Sequence, residues 1–317
     1  MGAREDVYAH VTDKIIADLE RGVRPWERPW SSDYAGERIT RPLRHNGKPY
    51  RGINILLLWG AALEKDYQSS IWMTFRQASK ELGAHVRKGE KGTLVVFADK
   101  IKKTETDEET GEENERQCFY MKSYSVFNVE QIEGLPERFY HKPEQIPEGR
   151  LERDERLNQF FVNTGASIRH GGGKAYYSMA GNYVGMPLFD SFRDTESYYA
   201  TLAHEVTHWT RHPTRLEREF SRKKWGDEGY AKEELVAEMG ASFLCADLRI
   251  TPETREDHAA YIQSWLKALK NDMRFIFVAA SYAQQAIDFL QGLQPKPDHP
   301  AGEIERSTGT LKDALTT

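Results

Sequence analysis

Residues 198–210 read Tyr198-Tyr199-Ala200-Thr201-Leu202-Ala203-His204-Glu205-Val206-Thr207-His208-Trp209-Thr210. The apolar residues recur at helical spacing, and no glycine or proline interrupts them. Two histidines four apart on a helix share one face, about 6 Å apart along its axis. Glu205 follows the first of them. A His-Glu-x-x-His run on a helix is the metal-and-base arrangement of zinc peptidases. In that reading the two imidazoles share one ion and Glu205 faces the metal-bound water as general base. A catalytic zinc takes three protein ligands and keeps one position open for water, so the pattern demands a third ligand elsewhere.

Residues 231–248 form a second strong helical pattern and offer Glu233, Glu234 and Glu238. Glu234 and Glu238 are four apart, beside an apolar stripe of Leu235, Ala241, Leu244 and Leu248. A carboxylate facing partly into a core is costly unless paired or metal-bound. Glu234 is the preferred ligand and Glu238 the carboxylate that accepts the second N–H of a ligand histidine; the reverse order stays open. His170 and His212 are further donors, but Pro213 ends the helix at His212. Tyr230, Tyr183, Tyr177 and Tyr176 are candidates to stabilise a tetrahedral oxyanion, and residues 183–187 could form an edge strand for an extended peptide. The expected ion is Zn2+, with Mn2+ or Co2+ as substitutes. Two other readings compete: a metal site that is inert or structural, and a metal-dependent nuclease. The nuclease is the weaker, because such sites cluster acidic ligands.

The 317 residues suffice for two ordinary domains. Charged residues make up 29% of the chain and mean hydropathy is −0.70, polar for a globular protein. The net charge of −5 argues against an overall basic coat. Cys118 and Cys245 have no framework spacing, which fits a reducing, cytoplasmic setting. The N-terminus lacks an apolar leader, and no apolar run approaches 18 residues, so a membrane span is not expected. Met1-Gly2 is followed by Asp6 rather than Ser or Thr, a poor myristoylation signal.

Helices are expected over residues 4–21, 54–65 with Asn54 as cap, 78–82 with Thr74 as cap, 151–164, 197–208, 231–248, 253–269 capped by Thr251, and from 271 or 272 to 290. Strands are expected at 72–74, 93–98 and 118–128, with two short aromatic ones within 166–187. The polar, acidic run 99–117 reads as the tip of a hairpin. Residues 131–150, rich in Pro, Glu and Gly, read as a linker. The result is an α+β chain: an N-terminal α/β domain over 1–130, a mainly helical C-terminal domain over 151–290, and a partly ordered tail over 291–317.

In the N-terminal half, cations and aromatic residues interleave. Arg24, Trp26, Arg28, Trp30, Arg38, Arg41, Arg44, Lys48, Tyr50 and Arg51 form one stretch; Arg87, Lys88 and Lys91 form a second basic loop. Stacking faces beside phosphate-seeking cations are what a sequence-tolerant single-strand binder uses. The plain alternative makes the tryptophans core residues and the cations a solvated rim. For Trp59, on an apolar helix, the core reading is preferred.

Several of these stretches together resemble the plasmid antirestriction ArdC family. They are Lys48-Pro49-Tyr50-Arg51-Gly52-Ile53-Asn54, Trp72-Met73-Thr74 with Gln77-Ala78, Gly83-Ala84-His85-Val86-Arg87-Lys88-Gly89-Glu90-Lys91-Gly92, residues 198–210, and Glu233-Glu234-Leu235-Val236-Ala237-Glu238. They occur in order over nearly the whole chain. The resemblance implies an N-terminal domain that binds single-stranded DNA, a C-terminal zincin-like metallopeptidase domain, and protection of incoming conjugative-plasmid DNA from host restriction. It implies metal positions at His204, His208 and the Glu234/Glu238 pair, with Glu205 as base acting on an unidentified peptide or protein. It also makes Trp26, Trp30 and Tyr50 candidate DNA contacts.

Overall fold

The computed structural model describes residues 2–26, 40–106, 113–140, 154–220, 228–250 and 258–295. The stretch holding Arg28, Trp30 and Arg38, the hairpin tip, the second half of the expected linker, the Thr251 cap and the end of the tail lie outside them.

The chain is an α+β protein of two parts. Helix α1 (Gly2–Glu20) precedes α2 (Ile53–Lys65). Residues Ile55 to Ala62 of α2 are buried without interruption, as expected of a helix that is apolar all round. Asn54 does not cap it. Gly52 takes the N-cap position with φ 56°, a left-handed backbone open to glycine at little cost. The Asn54 side chain instead donates to the Val96 carbonyl and accepts from the Val96 amide, both at 2.7 Å. It thereby ties the helix to a strand. Thr74 does cap the helical segment that starts at residue 75 and continues into Gln77–Glu81, its hydroxyl accepting from the Gln77 amide at 3.2 Å.

Four strands form the N-terminal sheet in the order β1 (Leu43–Arg44), β2 (Ile71–Met73), β5 (Glu113–Asn128), β4 (Thr93–Thr106). β1 and β2 run parallel; the other neighbours are antiparallel. The β4–β5 ladder runs from Thr93↔Val126 to Thr106↔Glu113. It therefore extends through most of the acidic run expected to be a loop, because backbone pairing does not depend on side-chain polarity. β3 (His85–Val86) pairs with β6 (Ile132–Glu133).

The second part opens with α3 (Glu155–Asn163), capped by Asp154. A three-stranded sheet follows in the order β7 (Ile168–His170), β9 (Tyr183–Met186), β8 (Tyr176–Ser178). Helices α4 (Thr195–Trp209), α5 (Glu228–Leu248), α6 (His258–Asn271) and α7 (Phe275–Gly292) complete it.

One apolar core joins both parts. Ile15 and Leu19 of α1, Trp26, and Ile55, Leu56 and Trp59 of α2 belong to the same cluster as Leu202, Phe243, Trp265 and Ile287. Trp26 meets Trp265 edge-on at 5.6 Å, and Trp59 meets Phe243 at 5.9 Å. A polar seam runs beside it. Buried Arg41 donates to Asp247 at 2.8 Å and to Gln284 at 3.2 Å, and Arg51 pairs with Asp288.

Candidate metal centre and nucleic-acid surface

Asp194 starts α4 by accepting the Ser197 amide at 2.7 Å, satisfying one of the open donors of a helix terminus. From that start the helix delivers His204 and His208 into its contact with α5; Glu205, beside them on the helix, is buried as they are. Gly240 of α5 makes the contact possible. A Cβ there would lie 2.5 Å from the Thr207 methyl carbon, so any larger residue would hold the two helices apart.

His204, His208 and Glu234 bring one donor atom each to within 4.8 Å of one another. The two Nε2 atoms are 3.1 Å apart. Glu234 reaches His208 Nε2 at 3.4 Å and His204 Nε2 at 3.5 Å through its two oxygens. Each Nδ1 is held from behind: that of His204 by Glu238 and that of His208 by Glu233, both at 3.1 Å. With both Nδ1–H groups donating outward, the Nε2 lone pairs and a carboxylate converge on one point. Such an arrangement can hold a cation between them. The neighbouring carboxylates favour positive charge at this point. Burial works against a charged His208, yet Glu234 and Glu233 push its imidazole up to about 10. Burial likewise opposes Glu234, yet His208 and His204 hold its carboxyl well below the usual range. The donor set of two imidazoles and a carboxylate fits a divalent transition ion.

Arg218 backs this chain of contacts. Its side chain is fully buried and donates to both Glu233 oxygens, at 2.7 and 2.9 Å, and to the Thr207 carbonyl at 3.1 Å. Sequence reading missed Arg218, and assigned Glu233 no role, because nothing local marks them. Arg218 lies in the irregular stretch after α4, and only the fold turns it back under that helix.

The expected gluzincin-type zinc peptidase does not stand. What the fold assembles is a buried three-donor cluster, His204, His208 and Glu234, able to hold a metal ion. Hydrolysis also needs an open coordination position with water facing a substrate. Here His204, His208 and Glu234 are 3%, 8% and 8% exposed, and Glu205 is 3% exposed. The donors face one another inside the α4–α5 packing, and what this geometry supports is a site for an ion. The tyrosines considered for an oxyanion lie as follows. Tyr230 accepts from Tyr261 at 3.3 Å; burial first, then Glu234, pushes its phenol up. Tyr183 shares a hydroxyl contact of 3.0 Å with Tyr176. Tyr177 donates to Asn182 at 3.3 Å and accepts from Arg215 at 3.2 Å. His170 contacts the Tyr198 hydroxyl at 2.8 Å, and His212 contacts Thr214.

The candidate DNA residues divide in the same way between core and surface. Trp26 is fully buried and Tyr50 is 3% exposed. Neither ring offers a face to a base, and both are corrected to core residues. Arg44 lies over the Tyr50 ring at 5.2 Å. Arg24 is half-buried, whereas Lys48, Arg51, Arg87, Lys88 and Lys91 are exposed. Arg87 is paired with Glu90 at 2.8 Å and Arg51 with Asp288.

Fold and site together define a two-domain α+β protein with a mixed N-terminal part and a helical, metal-binding C-terminal part. Residues 5–127 match a family described as the N-terminal domain of anti-restriction factor ArdC, and residues 155–282 one described as zincin-like metallopeptidase. The chain is similar to the antirestriction ArdC protein from plasmid R388. Its metal-free crystal structure has TM-score 0.78 and 48% identity, covering 91% of this chain and 97% of that one. Its Mn(II)-bound structure has TM-score 0.75 and 45% identity, covering 90% and 97%. Uncharacterized protein y4eC of Sinorhizobium fredii (strain NBRC 101917 / NGR234) is 42% identical over 293 residues, 91% of this chain and 92% of the relative. DNA primase TraC of Escherichia coli is 36% identical over 310 residues, but the match spans only 28% of that longer protein. The chain belongs to the ArdC family of antirestriction proteins. The zincin-like description carries the fold; the site decides the chemistry.

Proposed function

We propose that this chain is an antirestriction protein that coats single-stranded DNA and shields incoming plasmid DNA from host nucleases in the recipient cytoplasm. The observation that carries the reading is likeness to plasmid ArdC across both parts of the chain at once. The exposed cations Lys48, Lys88 and Lys91 support it as phosphate contacts. The ion at His204, His208 and Glu234 braces α4 against α5 and is structural. That relative's metal-free and Mn(II)-bound structures both match this chain's fold, so such a fold forms with and without the ion. Of the candidate ions, imidazole nitrogen and carboxylate oxygen admit Zn2+ as well as Mn2+ and Co2+, and intrinsic affinity favours zinc over either. None of the described helices is long and apolar enough to cross a membrane.

The test is the isosteric Glu205→Gln variant, assayed for protection of transferred plasmid DNA in a restricting host. Protection equal to the parent is expected. Loss of protection with metal content and fold intact would overturn the coating mechanism.

A further inference from the structure

The β4–β5 hairpin changes its surroundings along its length. Val95 pairs with Tyr124 and Phe97 with Lys122, and side chains alternate across a sheet, so these four share one face. Near the root of the hairpin that face is covered. Val95 and Val126 are fully buried with Leu58, Tyr67 and Trp72. One step further out the cover ends: Phe97 is 45% exposed and Tyr124 38%. The two rings are diagonal neighbours across the ladder, with Cα atoms about 7–8 Å apart. Lys122 stands directly opposite Phe97. Buried Tyr50, over whose ring Arg44 lies, belongs to the same apolar cluster as Val95 and Val126, and exposed Lys48 lies in the adjoining turn.

Scattered exposed aromatics need no explanation. Two on one sheet face, rimmed by Lys122, Arg44 and Lys48, are a different matter. The rings are sequence-indifferent stacking surfaces and the cations complement a phosphate backbone. We infer that Phe97 and Tyr124 form the stacking platform on which bases of single-stranded DNA lie, with Lys122, Arg44 and Lys48 on the phosphates. This rests on the coating function proposed above and replaces Trp26 and Tyr50, whose rings are buried, as its aromatic contacts. A duplex, with its bases already stacked inside, has no free base face to offer the rings.

The test uses the full chain with a fluorescent 12-mer of thymidine and with a duplex of equal length, by anisotropy across a salt series. Phe97→Ala and Tyr124→Ala are each expected to weaken single-strand binding about 5- to 140-fold, with the slope against salt unchanged. Phe97→Tyr and Tyr124→Phe should restore it, since each keeps a π-face. Lys122→Ala should lower the slope by about 0.7. Unchanged melting temperatures will show that the exposed rings were not holding the fold. If the parent binds the 12-mer and both alanine variants bind equally well, the platform is refuted while the coating function stands. If the variants weaken the duplex as much as the single strand, or alter self-association instead of DNA affinity, the assigned occupant is wrong. A parent that binds no single strand refutes the platform and the coating function together.

Discussion

Glu233 is the residue on which the metal centre and the protein interior meet. It takes two hydrogen bonds from Arg218 and holds His208 Nδ1. Burial opposes its charge, but Arg218 and then His208 hold its carboxyl down at about 2. Replacing it by alanine strands a fully buried guanidinium, a loss of about 3–5 kcal/mol, to be read from urea unfolding. Glu238 is placed differently: it orients His204 without being one of the three converging donors. Glu238→Ala should therefore keep the ion but bind it about 10- to 100-fold more weakly, whereas Glu234→Ala should abolish stoichiometric binding. Titration calorimetry with Zn2+ and Mn2+ separates the two, and equal effects would contradict the assignment of Glu234 as the ligand.

At the scale of elements, the approach of α4 to α5 sets the geometry of the site. Gly240→Ala places a methyl against Thr207 and should cost about 1–3 kcal/mol as overpacking. It should weaken metal binding as well, because His204 and His208 ride on the displaced helix. A lower melting temperature with unchanged metal affinity would show that the helices adjust without moving the donors. The start of α4 carries a pH signature. Burial opposes the charge of Asp194, but the Ser197 hydrogen bonds and Arg193 hold its carboxyl below the ordinary aspartate range. The folded value thus lies below the unfolded one, so the stabilisation is complete above about pH 4 and is lost as pH falls through the folded value. Asp194→Ala should cost about 1 kcal/mol at pH 7. Asp194→Asn, which still accepts the amide, should keep most of that stability and flatten the acid limb of the unfolding curve.

At the scale of the molecule, the two parts share a core, and a fragment cannot be judged by its sequence limits. Residues 1–130 alone would expose Ile15, Leu19, Trp26, Ile55, Leu56 and Trp59. That fragment is expected to aggregate or to unfold well below the full chain in a thermal melt; a monomeric, cooperatively folding fragment would contradict the shared core. Chelation of the ion should lower the melting temperature of the full chain while leaving its far-ultraviolet circular dichroism unchanged.

The amino-acid sequence by itself determined the helices with strong periodicity, the position of His204 and His208 on one face, and the supply of carboxylates on α5. These follow from spacing along one chain, which a helix of fixed pitch converts directly into a face. It also marked Trp59 as core, since that residue sits within an unbroken apolar run. Tertiary structure alone decided the rest. It brought Arg218 back under α4, gave Glu233 to His208 and Glu238 to His204, and closed the metal donors away from solvent. It buried Trp26 and Tyr50, which the family resemblance had made candidate DNA contacts, and left Phe97 and Tyr124 exposed. Aromatic side chains serve equally well in a core and on a stacking surface. Which of the two they serve depends on what the rest of the chain packs over them, and local sequence does not encode it.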